Sequence, residues 1–180
     1  MNNSILLIVG KSGSGKSTIV SELEKRYGLK SIQSYTTRKP RYENEPGHIF
    51  LNAEDFGNDF KKIREHYPNR VGETEYNGHL YFATEEQVEQ CQLYVIDPDG
   101  VDYFKQHYHG NKNVQIVYVH APKWLLEERM RNRGDSEDDI QRRLIVDISF
   151  ERIKKQSNLI VMNYVLNQSV DQIYSYFKSL

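Results

Sequence analysis

Apolar residues gather in four short runs rich in β-branched side chains: Ile5 to Val9, Tyr94 to Ile96, Val114 to Val119 and Leu159 to Met162. Runs of this length without sustained polar alternation read as strands buried on both faces. The segments between them switch to helical spacing. The first carries Ile19, Val20, Leu23 and Tyr27 on one side and stops at Gly28; the last carries Val170, Ile173, Phe177 and Leu180. Buried strands alternating with amphipathic helices predict a parallel α/β sheet. Gly100 and Gly110 bracket a third, aromatic-rich helix, and Pro122 suits the first position of a fourth that ends at Gly134 and turns Trp124 into the core. A short strand at Ser31 to Gln33 completes a five-stranded order.

From Tyr35 to about Thr84 this rhythm breaks. Tyr, Asn, Gly and charged residues dominate, and the alternating stretches are shorter, which predicts a small lobe inserted between core elements. Within it Asn77-Gly78 lies between Val71 to Tyr76 and His79 to Phe82, a two-residue hairpin signal because both turn positions need positive φ. Thr84-Glu85-Glu86-Gln87 is a capping box that opens the helix leading back to the core.

Composition narrows the partners. The 180 residues suffice for one domain with an ordinary core. With 24 basic and 25 acidic residues the formal net charge is −1, so bulk electrostatics make no case for nucleic-acid or membrane binding. The longest apolar run is far too short to span a bilayer, and no basic segment with a following apolar run opens the chain; the expected location is cytoplasmic. The single cysteine, Cys91, fits a reducing compartment and reads as packing. Six histidines and one cysteine show no metal-ligand spacing, and Asp135 to Asp139 reads as a solvated helix start.

The chemistry is concentrated in Gly10-Lys11-Ser12-Gly13-Ser14-Gly15-Lys16-Ser17-Thr18, which follows the first predicted strand and runs into the first predicted helix. Glycines at this spacing let successive N–H groups turn inward around a phosphate, and the helix N-terminus aims its free N–H groups and positive dipole end at the same point. Lys16 supplies an ammonium for the β/γ-phosphates and the Ser17 hydroxyl suits Mg²⁺. Strand, loop and helix together predict nucleoside triphosphate binding.

A second anion site is offered by Ser34-Tyr35-Thr36-Thr37-Arg38-Lys39-Pro40-Arg41, whose guanidinium forks suit a phosphate monoester and whose charge also fits a solvated basic loop. Taken together, the phosphate loop, SYTTRKPR, the Asn-Gly-x-x-Tyr hairpin and Arg129-Met-Arg-Asn-Arg133-Gly-Asp-Ser-Glu resemble the guanylate kinase family, in the same order and over nearly the whole chain. The resemblance implies a P-loop NTPase-type three-layer core with the five-stranded parallel sheet (1–34, 89–128 and 156–180), a mixed β/α monophosphate-binding lobe (35–88) and a helical lid (129–155). It further implies ATP with Mg²⁺, a nucleoside monophosphate acceptor, and phosphoryl transfer assisted by Lys16, Arg129, Arg133 and Arg143. Ser34, Arg38, Arg41 and Tyr81 match the family's contacts to the monophosphate, and Asn163 matches an asparagine near the ATP base. Oligomeric state is not readable.

Departures fall on base recognition. His48 stands where the family has a second phosphate-contacting tyrosine, and Glu73, with Glu75 as rival, matches the base-reading glutamate only after a one-residue shortening. Ala83 replaces a hydroxyl, and Val95-Ile96-Asp97 keeps one acid of an Asp-x-Asp pair. The expected reaction is GMP or dGMP phosphorylation; a different phosphorylated acceptor, or a non-catalytic guanylate-kinase-like binding module, are the alternatives. The intact loop, with Lys16, Ser17 and all three glycines, argues against the module.

Overall fold

The computed structural model describes residues 2–56, 59–145 and 148–180. The intervals predicted for core, lobe and lid therefore include a few positions (1, 57–58, 146–147) outside the described residues. In chain order, β1 (Ser4–Val9) leads into α1 (Lys16–Tyr27). Then come β2 (Ser34–Thr36), β3 (His48–Phe50), α2 (Ala53–Phe56), α3 (Phe60–His66), β4 (Arg70–Tyr76), β5 (His79–Thr84) and α4 (Glu85–Gln90). The second half holds β6 (Leu93–Val95), α5 (Pro98–His107), β7 (Asn113–His120), α6 (Lys123–Asn132), α7 (Glu137–Leu144), α8 (Ile148–Gln156), β8 (Leu159–Met162) and α9 (Leu166–Ser179).

A parallel sheet of order β6-β1-β7-β8 forms the centre. All six residues of β1 are buried, and its alternation feeds two cores. Leu6 and Ile8 pack with Ile19, Val20 and Leu23 of α1 and Val170, Ile173 and Phe177 of α9. Ile5, Leu7 and Val9 pack on the other face with Val101 and Phe104 of α5 and Ile153 of α8. Burying both faces is what the uninterrupted apolar runs required.

The sheet has four strands where five were expected. Ser31 makes only an isolated parallel bridge to Leu93, and the Ile32 amide donates to the Leu93 carbonyl at 2.8 Å. Pairing stops there because the Gln33 carbonyl is taken by the Gln87 side chain at 2.8 Å. The next residues, Ser34 to Thr36, join a different sheet. Trp124 is a second correction: it is 60% exposed, because α6 buries Leu126 and Met130, one turn apart, and Trp124 lies on the far side. Pro122 is the residue before α6 rather than its first.

The second sheet, of order β3-β2-β5-β4, is mixed, with β2 and β3 parallel and the remaining pairs antiparallel. Asn77 at φ 50° and Gly78 at φ 74° make the predicted hairpin turn, and the Thr84–Gln87 capping box is present at the start of α4. One face of this sheet packs Leu80 and Phe82 against Ile63 of α3, with Tyr35 and Tyr67 alongside. The opposite face turns toward the central sheet. No helix among the described residues is long and apolar enough to cross a membrane.

Candidate active site

The loop between β1 and α1 lies at the carboxyl ends of parallel strands, where open α/β sheets bind ligands. Its shape depends on two glycines. Gly13 (φ 80°) and Gly15 (φ 95°) occupy the left-handed region. A Cβ would come within 2.8 Å of the Leu126 carbonyl at Gly13 and 2.3 Å of the Asn163 amide at Gly15. The close approach at Gly15 admits a strut: Asn163 Nδ2 donates to the Ser14 carbonyl at 2.8 Å, and its Oδ1 accepts from the Ser169 hydroxyl at 3.0 Å. Asn163 is 2% exposed. Both ends of its amide are engaged, so the geometry makes it a support for the loop, at the position that the resemblance sets near the ATP base.

Arg129, predicted among the lid cations, reinforces the same strut. Its guanidinium donates to the carbonyls of Gly13 (3.4 Å), Ser14 (3.3 Å) and Asn163 (2.9 Å). Arg143 comes from α7 to donate to Ser12 Oγ at 2.8 Å. Its Nε and the Ser14 hydroxyl are buried without a hydrogen-bond partner. Arg133 caps α6 and pairs with Asp135 (Nε to Oδ1, 3.0 Å). Ser17 and Thr18 are exposed in the first turn of α1, where backbone N–H groups lack helical acceptors.

Lys16 lies over the loop, its ammonium 2.5 Å from the Gly10 carbonyl and 3.1 Å from that of Lys11. Burial, with Arg133 and Arg143 nearby, lowers its pKa to about 8 against the opposing pull of Asp97. Asp97 sits just beyond β6 and caps α5, accepting from the Gly100 amide at 2.7 Å. Burial raises the Asp97 pKa, opposed by the Gly100 amide and by a hydrogen bond from Thr74.

Thr74 opens the opposite wall. Across the second sheet Thr74 pairs with Tyr81 and Tyr81 with Thr36, so the three side chains form one row on the face away from α3. Arg38 joins the row within electrostatic reach of Tyr81 and stands over the Phe50 ring at 5.2 Å. His48 faces Ser34 in register, with Nδ1 2.9 Å from the hydroxyl and the ring 5.7 Å from that of Tyr81. Burial, then the Arg38 charge, lowers the His48 pKa. Most of the predicted acceptor-site residues thus converge: Ser34, Arg38, His48, Tyr81 and Asp97. Arg41 is nearby with its side chain 69% exposed.

Glu73 does not join them. Its Oε1 accepts from Arg64 (2.8 and 2.7 Å) and its Oε2 from Arg70 (2.6 Å), on the α3 side of the sheet. Glu75 also accepts from Arg64, at 2.6 Å. Thr74 stands opposite Tyr81, so strand alternation puts Glu73 and Glu75 on the face of Leu80; the ladder then turns irregular between Thr74 and Val71, with Gly72 at φ 63°. There a Cβ would strike the Tyr94 ring and hydroxyl at 2.7 Å. Thr74, which the sequence reading passed over, lies in the cleft-facing row instead; its register opposite Tyr81 was the signal available.

A family described as "AAA domain" matches residues 6–168. The guanylate kinase of Fusobacterium nucleatum is 29% identical over 95% of this chain and 94% of its own length. That of Thermotoga maritima is 29% identical over 99% and 88%. The crystal structure of guanylate kinase from Anaplasma phagocytophilum superposes with a TM-score of 0.65 at 15% identity, covering 99% of this chain and 86% of that one. The glycine loop, the Lys16 ammonium above it and near full-length likeness to these relatives agree: the chain belongs to the AAA-domain family and is similar over nearly its whole length to guanylate kinases.

Proposed function

We propose that this chain is an ATP-dependent guanylate kinase, transferring the γ-phosphoryl group of ATP to GMP or dGMP. The observation that carries the reading is the placement of two anion sites with polar groups between them. Asp97 lies within electrostatic reach of Lys16 on the loop, and Thr74, Tyr81 and Arg38 share the neighbouring sheet face. Loop and helix N-terminus, Gly10 to Thr18, take the triphosphate; Ser34, Arg38, Arg41, His48 and Tyr81 take the monophosphate. Residues 1–34, 89–128 and 156–180 then act as the core, 35–88 as the acceptor lobe and 129–155 as the lid.

In phosphoryl transfer an acceptor phosphate oxygen attacks the γ-phosphorus in line and charge spreads over the equatorial oxygens, so the protein supplies position and cations. Lys16, Arg133 and Arg143 are the cations assigned to that charge. Arg129 acts one step back as a positioning residue, since its donors already hold the loop carbonyls. Movement of the lid over the loop excludes water, the competing acceptor. Mg²⁺ fits the oxygen donors present, the exposed Ser17 hydroxyl and the Asp97 carboxylate, as an ion that retains several waters and binds largely to nucleotide phosphate. When bound it neutralises phosphate charge. The proposed compartment is the cytoplasm.

A second reading, phosphorylation of a different nucleoside monophosphate, is favoured by the engagement of Glu73 with Arg64 and Arg70, which leaves base reading to Thr74, Asp97 and their neighbours. Coupled detection of ADP release from Mg·ATP across GMP, dGMP, AMP, CMP and UMP separates the cases. GMP or dGMP is expected to turn over fastest. A much faster reaction with another base establishes the second reading, and no ADP with any acceptor sinks the enzyme assignment.

A further inference from the structure

The connection from Thr37 to Gly47 carries a carboxylate that the functional reading leaves unused. Glu45 follows Asn44, at φ 58°, and precedes Pro46 and Gly47, at φ 90°. A non-glycine residue at positive φ is uncommon, and asparagine is among the few side chains that tolerate it. These two reversals return Glu45 to Arg38. Its Oε1 lies 2.8 Å from Arg38 Nη2 and its Oε2 3.0 Å from Arg38 Nη1. Oε2 also accepts from the Arg41 backbone amide at 2.7 Å, and Oε1 lies 3.6 Å from Arg41 Nη1. The Glu45 side chain is 7% exposed and that of Arg38 14%.

Two parallel N–H···O bonds from one guanidinium fork are the geometry in which arginine receives a phosphate monoester. Glu45 therefore occupies, on Arg38 and beside Arg41, the donors assigned above to the acceptor's phosphate. We infer that Glu45 is an internal surrogate anion, a positioning residue that keeps Arg38 ordered and is exchanged for the phosphate of the incoming monophosphate. The inference rests on the proposed role of Arg38 and Arg41. Arg38 holds the Glu45 carboxyl down to about pKa 2, so protonation does not release it near neutrality and an incoming phosphate must displace a charged group. On exchange the Arg41 amide loses its acceptor, which couples acceptor binding to the fold of this loop.

Glu45→Gln preserves size and an amide oxygen for the Arg41 N–H while removing the charge. Calorimetric titration with inorganic phosphate is expected to show roughly 2- to 5-fold tighter binding than wild type, the scale of one charge pair near a surface. The KM for GMP falls by a similar factor, and the KM for ATP stays within about 2-fold of wild type. In an Arg38→Ala background the effect of Glu45→Gln disappears. Equal or weaker phosphate binding by Glu45→Gln overturns the inference. A second measurement needs no variant: saturating wild type with phosphate is expected to speed hydrogen exchange at the Arg41 amide, and unchanged or slower exchange also overturns the inference. The phosphate titrations require no turnover, so they separate this inference from the kinase reading. Tighter phosphate binding without ADP release on any monophosphate defeats only the latter; GMP turnover with unaltered phosphate binding defeats only the former.

Discussion

Lys16 shows how one residue type can be read from sequence while its behaviour depends on its surroundings. Position in the loop assigns it to phosphate. Only the structure shows the ammonium enclosed between the Gly10 and Lys11 carbonyls with Arg133 and Arg143 nearby. Desolvation and like charge both disfavour the charged form, hence a pKa of about 8. The charged form binds phosphate and predominates below that value. The kcat/KM for ATP, which reports ionisations of the free enzyme, is therefore expected to decline as pH rises through about 8; a profile flat to pH ~9.5 contradicts this. The sign for stability is opposite. A lysine whose pKa is lower folded than unfolded destabilises the fold below about pH 8, and the penalty lessens between that value and the unfolded pKa of 10.5. Lys16→Met is expected to abolish turnover in a coupled assay while removing this penalty.

Among the elements, β4 parts most clearly from its sequence reading. Hairpin turn, capping box and strand limits were legible because each depends on residues within four positions of one another: Asn77 with Gly78, Thr84 with Gln87. Which way Glu73 points was not legible. An irregularity shifts the alternation by one, and whether it falls before or after Glu73 depends on Gly72 fitting against Tyr94 of a distant strand. The result is a carboxylate shared by Arg64 and Arg70, with Glu73 and Arg70 side chains 8% and 10% exposed. Glu73→Ala leaves Arg70 charged and enclosed, so urea denaturation is expected to show a loss of about 3 kcal/mol. Unchanged stability with a raised GMP KM would instead restore Glu73 to base recognition.

At the scale of the whole molecule, the proposed phosphoryl transfer requires two anion sites to meet under a lid, and the cations assigned to that lid have protein partners in this structure. Arg133 holds Asp135 at the end of α6 and Arg143 holds Ser12 from α7. In the proposed reaction those contacts are exchanged for nucleotide oxygens on closure. Arg133→Ala removes only a half-exposed ion pair, worth about 1 kcal/mol or less, so melting temperature stays within a few degrees. Its kcat is expected to fall about 100-fold, the scale of one lost transition-state donor; a change in KM alone would remove Arg133 from the reaction. The same scale separates what was determined locally from what was not. Strand–loop–helix order, the glycine spacing of the phosphate loop, the buried strand runs and the inserted lobe followed from the sequence by itself, because backbone sterics and hydrophobic periodicity act over a few residues. Four strands instead of five, the exposed Trp124, the Asn163 and Arg129 struts, and the carboxylates on Arg64, Arg70 and Arg38 were decided only by tertiary structure. Each depends on which distant group reaches a hydrogen-bonding atom or a patch of buried surface first, and that competition is settled only when the chain is packed.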